Sequence, residues 1–219
     1  MKLPKGVLFD FDGVVVDSFE THFSAWKKAF SELFGFEIND FPENCEGKSP
    51  MLISKAFCEI ANAPEKANVL YSKKEHNLNN SSVPPKLLPG VVEITSLLKK
   101  ENIPYGIASN ATKQFLLNSV QQLNLDFNTI FGFEDYEKPK PAPEAYITLA
   151  KALGFDKASL KDLWVFEDSI AGTTAAKLAG MQPMGILTHM SEKALIEAGS
   201  VKNFKDLAAA HEFIIELKN

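Results

Sequence analysis

Gly6-Val7-Leu8-Phe9-Asp10-Phe11-Asp12-Gly13 is the stretch from which the fold can be read. Val7-Leu8-Phe9 is a short apolar run between a glycine and a loop of acids, the pattern of a strand buried on both faces in a parallel sheet. Two carboxylates separated by one residue leave the C-terminal end of that strand. Gly13 permits the sharp turn that has to follow. Taken alone, Asp-x-Asp-Gly fits a solvated turn with a helix cap as well as it fits a site. Its position favours chemistry, because open α/β sheets bind ligands at the C-terminal ends of their strands.

Downstream of this turn the period changes. In residues 18–34, Phe19, Phe23, Trp26, Phe30 and Leu33-Phe34 recur at three and four, which gathers them on one helix face. Further helices are expected over residues 51–61 and 64–77. Residues 79–85 form a polar, proline-bearing linker. Beyond it the pattern alternates. Helices are expected at 90–100, 112–123, 143–153 and 170–179, with strands at 103–108, 130–131, 163–166 and 183–187. Such alternation predicts an α/β fold with a mostly parallel sheet. The expected organisation is an α/β core of residues 1–16 and 87–219, its first strand central, with a helical cap of residues 17–86 inserted after that strand.

Composition narrows the function classes. With 219 residues, 45% hydrophobic and 23% charged, the chain can bury a sizeable core. A formal net charge of -5 provides no basic excess for a nucleic-acid backbone. It leaves room for a small phosphorylated metabolite, which needs only a few local cations. Cys45 and Cys58 have neither metal nor redox spacing and read as free thiols of a reducing cytosol. No apolar leader opens the sequence, and its apolar runs are too short to span a bilayer. The expectation is a cytoplasmic protein, monomeric or weakly homo-oligomeric, that engages neither membrane nor nucleic acid.

Three further clusters fall at strand ends or helix starts. Glu167-Asp168-Ser169 follows the strand at 163–166; Asp168-Ser169 also suits a helix cap. Asp10, Asp12, Glu167 and Asp168 thus reach one sheet edge from two strands. Packed like charges repel, so such a nest requires a cation, and hard oxygen ligands favour Mg²⁺. At Ala108-Ser109-Asn110 a hydroxyl and backbone N–H groups suit a phosphate oxygen, although the same residues serve ordinary loops. In Lys138-Pro139-Lys140-Pro141-Ala142-Pro143-Glu144 the prolines stiffen the approach to a helix. A lysine held there is a point charge for a phosphate, or else part of a solvated linker.

In this order, Asp-x-Asp-Gly, Ser-Asn, Lys-Pro-x-Pro-Glu and Glu-Asp-Ser resemble the four motifs of the haloacid dehalogenase superfamily, over nearly the whole chain. Phe166-Glu167-Asp168-Ser169-Ile170-Ala171-Gly172, with Ala175-Ala176 and Ala179-Gly180-Met181, is similar to the fourth motif of its β-phosphoglucomutase-like branch. The segment Asp17-Ser18-Phe19-Glu20-Thr21-His22 with Ala25-Trp26 also resembles that branch. The resemblance implies that Asp10 attacks phosphorus and becomes an aspartyl phosphate. It makes Asp12 the acid and then the base. Asp10, the Asp12 backbone carbonyl and Asp168 would hold Mg²⁺, supported by Glu167. Ser109, with Asn110 beside it, would bind the transferring phosphoryl group. Lys140, rather than Lys138, would pair with that group and with Asp10. Dehalogenases and phosphonoacetaldehyde hydrolases of the superfamily lack the second aspartate, so Asp12 argues against both chemistries.

Hydrolase and mutase remain the two enzymatic readings, differing in whether water or a sugar hydroxyl accepts the phosphoryl group. His22 matches a histidine of β-phosphoglucomutases. Against a mutase stands Glu46-Gly47-Lys48-Ser49-Pro50: the resembling mutases carry an arginine where this chain has Pro50, and Lys48 is a poorer substitute for a bidentate clamp. A phosphatase for a small phosphate ester is the expected function, with a sugar phosphomutase as the alternative. A non-catalytic phosphate-binding module is a third reading, since fold does not fix function.

Overall fold

The computed structural model describes residues 1–43, 45, 50–81 and 84–218. The chain opens on β1 (Gly6–Phe9), whose four residues are all buried. It turns through Asp10 to Gly13 into the two-residue β2 (Val16–Asp17). Three helices follow: α1 (Phe19–Phe34), α2 (Pro50–Ile60) and α3 (Ala67–Asn79). The chain returns through β3 (Lys86–Leu87), which pairs antiparallel with β2. From there helix and strand alternate through α4 (Val91–Lys100), β4 (Tyr105–Ala108), α5 (Lys113–Gln122), β5 (Ile130–Phe131) and α6 (Glu144–Ala152). They continue through β6 (Leu163–Glu167), α7 (Ile170–Leu178), β7 (Gln182–Ile186), α8 (Glu192–Ala198), β8 (Lys202–Phe204) and α9 (Leu207–Lys218).

Six strands form one sheet in the order β5-β4-β1-β6-β7-β8, every pair parallel. β1 therefore has a strand on each side. Val7 pairs with Tyr105 of β4 and with Trp164 of β6. β1 and β6 are apolar almost throughout because a central parallel strand is covered on both faces. Phe9 stacks on Phe166 of β6 at 5.4 Å between ring centroids. Leu8, Val165, Leu149, Ala175 and Ala176 close one side of the sheet. Burying each of the leucines and the valine contributes about 1.5–3 kcal/mol.

The chain divides into two compact units, Met1–Asp17 with Lys86–Asn219, and Ser18–Pro85. The second is helical. The stripe that the spacing of α1 predicts is buried at Phe23, Trp26, Ala29 and Phe30 and meets Phe57, Cys58 and Leu70. Residues 64–77, read from sequence as one helix, differ in detail. Pro64–Lys66 form a single 3-10 turn, and the α-helix begins at Ala67. Pro64 supplies no N–H and sits comfortably at such a start. Among the described residues no helix is long and apolar enough to cross a membrane.

Candidate active site

Parallel strands deliver their C-terminal ends to one edge, and the chemistry gathers there. Asp10 is the first residue beyond β1; its N–H donates to Phe166 O at 3.0 Å, which fixes it against the end of β6. Glu167 ends β6, and Asp168 follows it. One carboxylate oxygen from each of Asp10, Glu167 and Asp168 lies within 4.8 Å of the others. All three residues are buried.

Lys140 enters this nest from the loop before α6. Its Nζ donates to Asp10 Oδ1 at 2.6 Å, to Glu167 Oε1 at 2.7 Å and to the Tyr146 hydroxyl at 2.7 Å. Tyr146 is fully buried on α6 and donates its own proton to Glu167 Oε1 at 2.5 Å. Lys138 points elsewhere: its side chain is 69% exposed, with Nζ 3.7 Å from Glu144. Burial works against the Lys140 ammonium, but Asp10 and Glu167 outweigh it and hold the group above the ordinary lysine value. Burial also pushes the Asp10 carboxyl well above the usual range; Lys140 opposes this, while Glu167, Asp168 and Asp12 add to it. Asp168 is raised by burial as well, partly offset by a hydrogen bond from His189.

Glu167 is bonded on both oxygens. Oε2 accepts from Ser169 N at 3.2 Å and from Ser169 Oγ at 2.9 Å, complementing the two donors on Oε1. The Ser169 hydroxyl at the same time caps α7 by accepting from Gly172 N at 3.0 Å. One hydroxyl thus serves both the helix start and the Glu167 carboxylate. A Cβ on Gly172 would lie 1.6 Å from Glu167 Oε1, so only glycine lets the helix start this close to the carboxylate. Gly13 does the same on the opposite side. Its φ is +77°, and a Cβ there would lie 2.0 Å from Asp168 Oδ2.

Ser109 follows β4 and is buried; its N–H donates to Phe131 O at 3.1 Å. Its hydroxyl oxygen accepts from Ala111 N at 3.1 Å, which does not consume the hydroxyl proton. The Asn110 side chain is engaged with backbone. Its Oδ1 accepts from Lys140 N at 3.1 Å and its Nδ2 donates to Lys140 O at 3.4 Å. Asn110 thus fixes the loop that carries the lysine. Asp12 is half-buried in the turn after β1. His22 is half-buried on α1, in the other unit, and Lys48 lies outside the described residues.

Tyr146, Thr188 and His189 escaped the sequence reading. Tyr146 lies six residues after Lys140, where a buried aromatic on a helix reads as core. Thr188 and His189 follow β7, and the position of a loop beyond a parallel strand was the one available signal.

The donor set suits a divalent cation. Three buried carboxylates meet a single ammonium, that of Lys140, so a cation among them would relieve their mutual repulsion. The donors are hard oxygens, which Mg²⁺ prefers. Glu167 already accepts hydrogen bonds on both oxygens, so Asp10 and Asp168 would be the carboxylates to ligate such a cation directly.

A family model described as haloacid dehalogenase-like hydrolase matches residues 7–186. The chain belongs to that family. Within it the chain falls in the β-phosphoglucomutase-like branch. It is 31% identical to the β-phosphoglucomutase of Bacillus subtilis over 191 residues, 83% of either chain. It is 29% identical to the phosphorylated carbohydrates phosphatase of Thermotoga maritima, covering 90% of this chain and 92% of that one. A solved haloacid dehalogenase hydrolase of family IA, variant 3, from Entamoeba histolytica superposes over the full length of both chains, with a TM-score of 0.77 at 26% identity. This member of the haloacid dehalogenase-like hydrolase family is thus similar both to a β-phosphoglucomutase and to a phosphorylated carbohydrates phosphatase.

Proposed function

We propose that this hydrolase is a Mg²⁺-dependent phosphatase that acts on a phosphorylated sugar or a similar small phosphate ester through an aspartyl phosphate on Asp10. The observation that carries the reading is the 2.6 Å pairing of Asp10 with Lys140 at the C-terminal edge of the sheet. A buried carboxylate held by an ammonium is a positioned nucleophile, and the ammonium also meets the charge of the incoming phosphoryl group.

The steps then follow from the residues. An Asp10 oxygen attacks phosphorus, the bond from phosphorus to the sugar oxygen breaks, and Asp12 gives its proton to the leaving oxygen. Asp12 next takes a proton from water, whose oxygen attacks the aspartyl phosphate. Inorganic phosphate leaves and Asp10 is restored. Ser109 and Lys140 hold the equatorial oxygens throughout. Mg²⁺ held by Asp10, Asp168 and the Asp12 carbonyl would supply the remaining charge neutralisation.

A mutase is the second reading, favoured by the Bacillus subtilis relative. It would have to hold a bisphosphate through its second phosphate while excluding water. Three observations speak for water as the acceptor. All 23 basic residues are lysines; the sequence contains no arginine, so a bidentate guanidinium clamp is unavailable. Lys73 sits 3.6 Å from Glu32. Lys74 is buried in the helical unit, 2.7 Å from Glu75 and 5.5 Å from the Trp26 ring centroid. The test supplies β-glucose 1-phosphate, Mg²⁺ and a bisphosphate primer, and follows free phosphate and glucose 6-phosphate together. Free phosphate is expected to appear faster. Glucose 6-phosphate outpacing it would establish the mutase.

A further inference from the structure

The loop after β7 ties two parts of the site together, and no step of the proposed reaction uses it. Thr188 Oγ1 donates to Gly13 O at 2.6 Å, binding the loop to the turn that carries Asp12. The next residue, His189, places Nδ1 2.6 Å from Asp168 Oδ2. As a cation ligand Asp168 would be ionised and could only accept, which makes His189 Nδ1 the donor of this pair. Gly13 packs against this pair: a Cβ there would lie 2.8 Å from His189 Nδ1 as well as 2.0 Å from Asp168 Oδ2. The Asp168 side chain is 7% exposed and that of His189 51%, so the histidine reaches the buried acid from the solvent side.

We propose that His189 is a positioning residue that fixes the rotation of the Asp168 carboxylate and thereby sets the affinity of the site for its divalent cation. The inference rests on the reading of Asp168 as a cation ligand. A carboxylate on a short side chain can turn about its last bond. An N–H anchored on one oxygen selects a single orientation, and Thr188 anchors the loop that presents that N–H. The entropy of ordering Asp168 is then lost when the chain folds and not again when the cation binds. Partners of this kind are worth about 10–100-fold in metal affinity.

The test titrates Mg²⁺ into metal-free full-length protein by calorimetry, with no substrate present. His189→Ala is expected to bind Mg²⁺ about 10–100-fold more weakly than wild type. His189→Asn is the conservative rescue, since its Nδ2–H occupies the place of the imidazole Nδ1–H, and it is expected to bind within a few-fold of wild type. Each variant is first melted in EDTA and the titration is run below the transition found there, so that affinity is read on folded protein and a binding defect is separated from a folding one. Wild-type affinity in His189→Ala overturns the proposal. So does an Asn variant as weak as the Ala variant, which would assign the effect to the ring and not to its Nδ1–H. Asp168→Asn keeps the two readings apart: wild-type Mg²⁺ affinity in that variant would overturn Asp168 as a ligand rather than His189 as its support.

Discussion

Lys140 and Asp10 lie 130 residues apart in the chain, and their ammonium and carboxylate meet at 2.6 Å. The same ammonium bonds Glu167 and Tyr146, so a single nitrogen joins β1, β6 and α6 at the sheet edge. Removing it leaves buried acids unpaired. Lys140→Ala is expected to abolish turnover and to cost about 3–5 kcal/mol of stability, the penalty for breaking a buried ion pair from one side. Lys138→Ala, at an exposed position, is expected to stay within about 0.5 kcal/mol of wild type. Urea denaturation in EDTA measures both, and equal effects would contradict the assignment.

Gly172→Ala offers a test by sign. In an exposed helix the change from glycine to alanine stabilises by about 1 kcal/mol. Here the new Cβ would meet the Glu167 carboxylate at 1.6 Å, and that carboxylate is held by Lys140, Tyr146 and Ser169. The variant is expected to lose about 1–3 kcal/mol, the cost of overpacking. A higher melting temperature would show that Glu167 moves aside freely.

The acids also predict how stability responds to pH and to the cation. Burial raises the carboxyls of Asp10 and Asp168, so the folded chain binds these protons more tightly than the unfolded chain. The associated stability is present below the unfolded value of about 4 and is lost as pH rises through the raised folded value. In EDTA, Asp10→Asn, which cannot ionise, is expected to gain melting temperature relative to wild type as pH increases across that window. Mg²⁺ should raise the wild-type melting temperature above it. A difference that stays constant with pH would contradict the charge account of the site.

Much of the fold was legible because its signals are local. β1 and β6 announce themselves as apolar runs ending in acids, and the helical unit as an aromatic stripe on α1. Element ends shifted by one to three residues, where caps and 3-10 turns decide. β2 and β3 were not foreseen: two residues each, they carry no period and arise where the chain leaves and re-enters the α/β unit. At the site, the acids and Lys140 stood out because they follow strands or precede a helix among prolines. What tertiary meeting alone creates was hidden. Asn110, expected beside the phosphate, also holds the backbone of Lys140. Tyr146 looked like core and is also a hydrogen-bond partner of Lys140 and Glu167. His189 is a lone histidine until β7 brings it to Asp168.

The central claim is that Asp10 is the nucleophile. Its most direct test compares phosphate release by wild type and Asp10→Asn, with Mg²⁺ and saturating sugar phosphate, after circular dichroism has established that both are folded. An amide is a poor nucleophile and removes one ligand charge, so release is expected to fall by several orders of magnitude, about the loss seen when a covalent nucleophile is deleted. Retention of more than about a tenth of the wild-type rate would contradict covalent catalysis by Asp10.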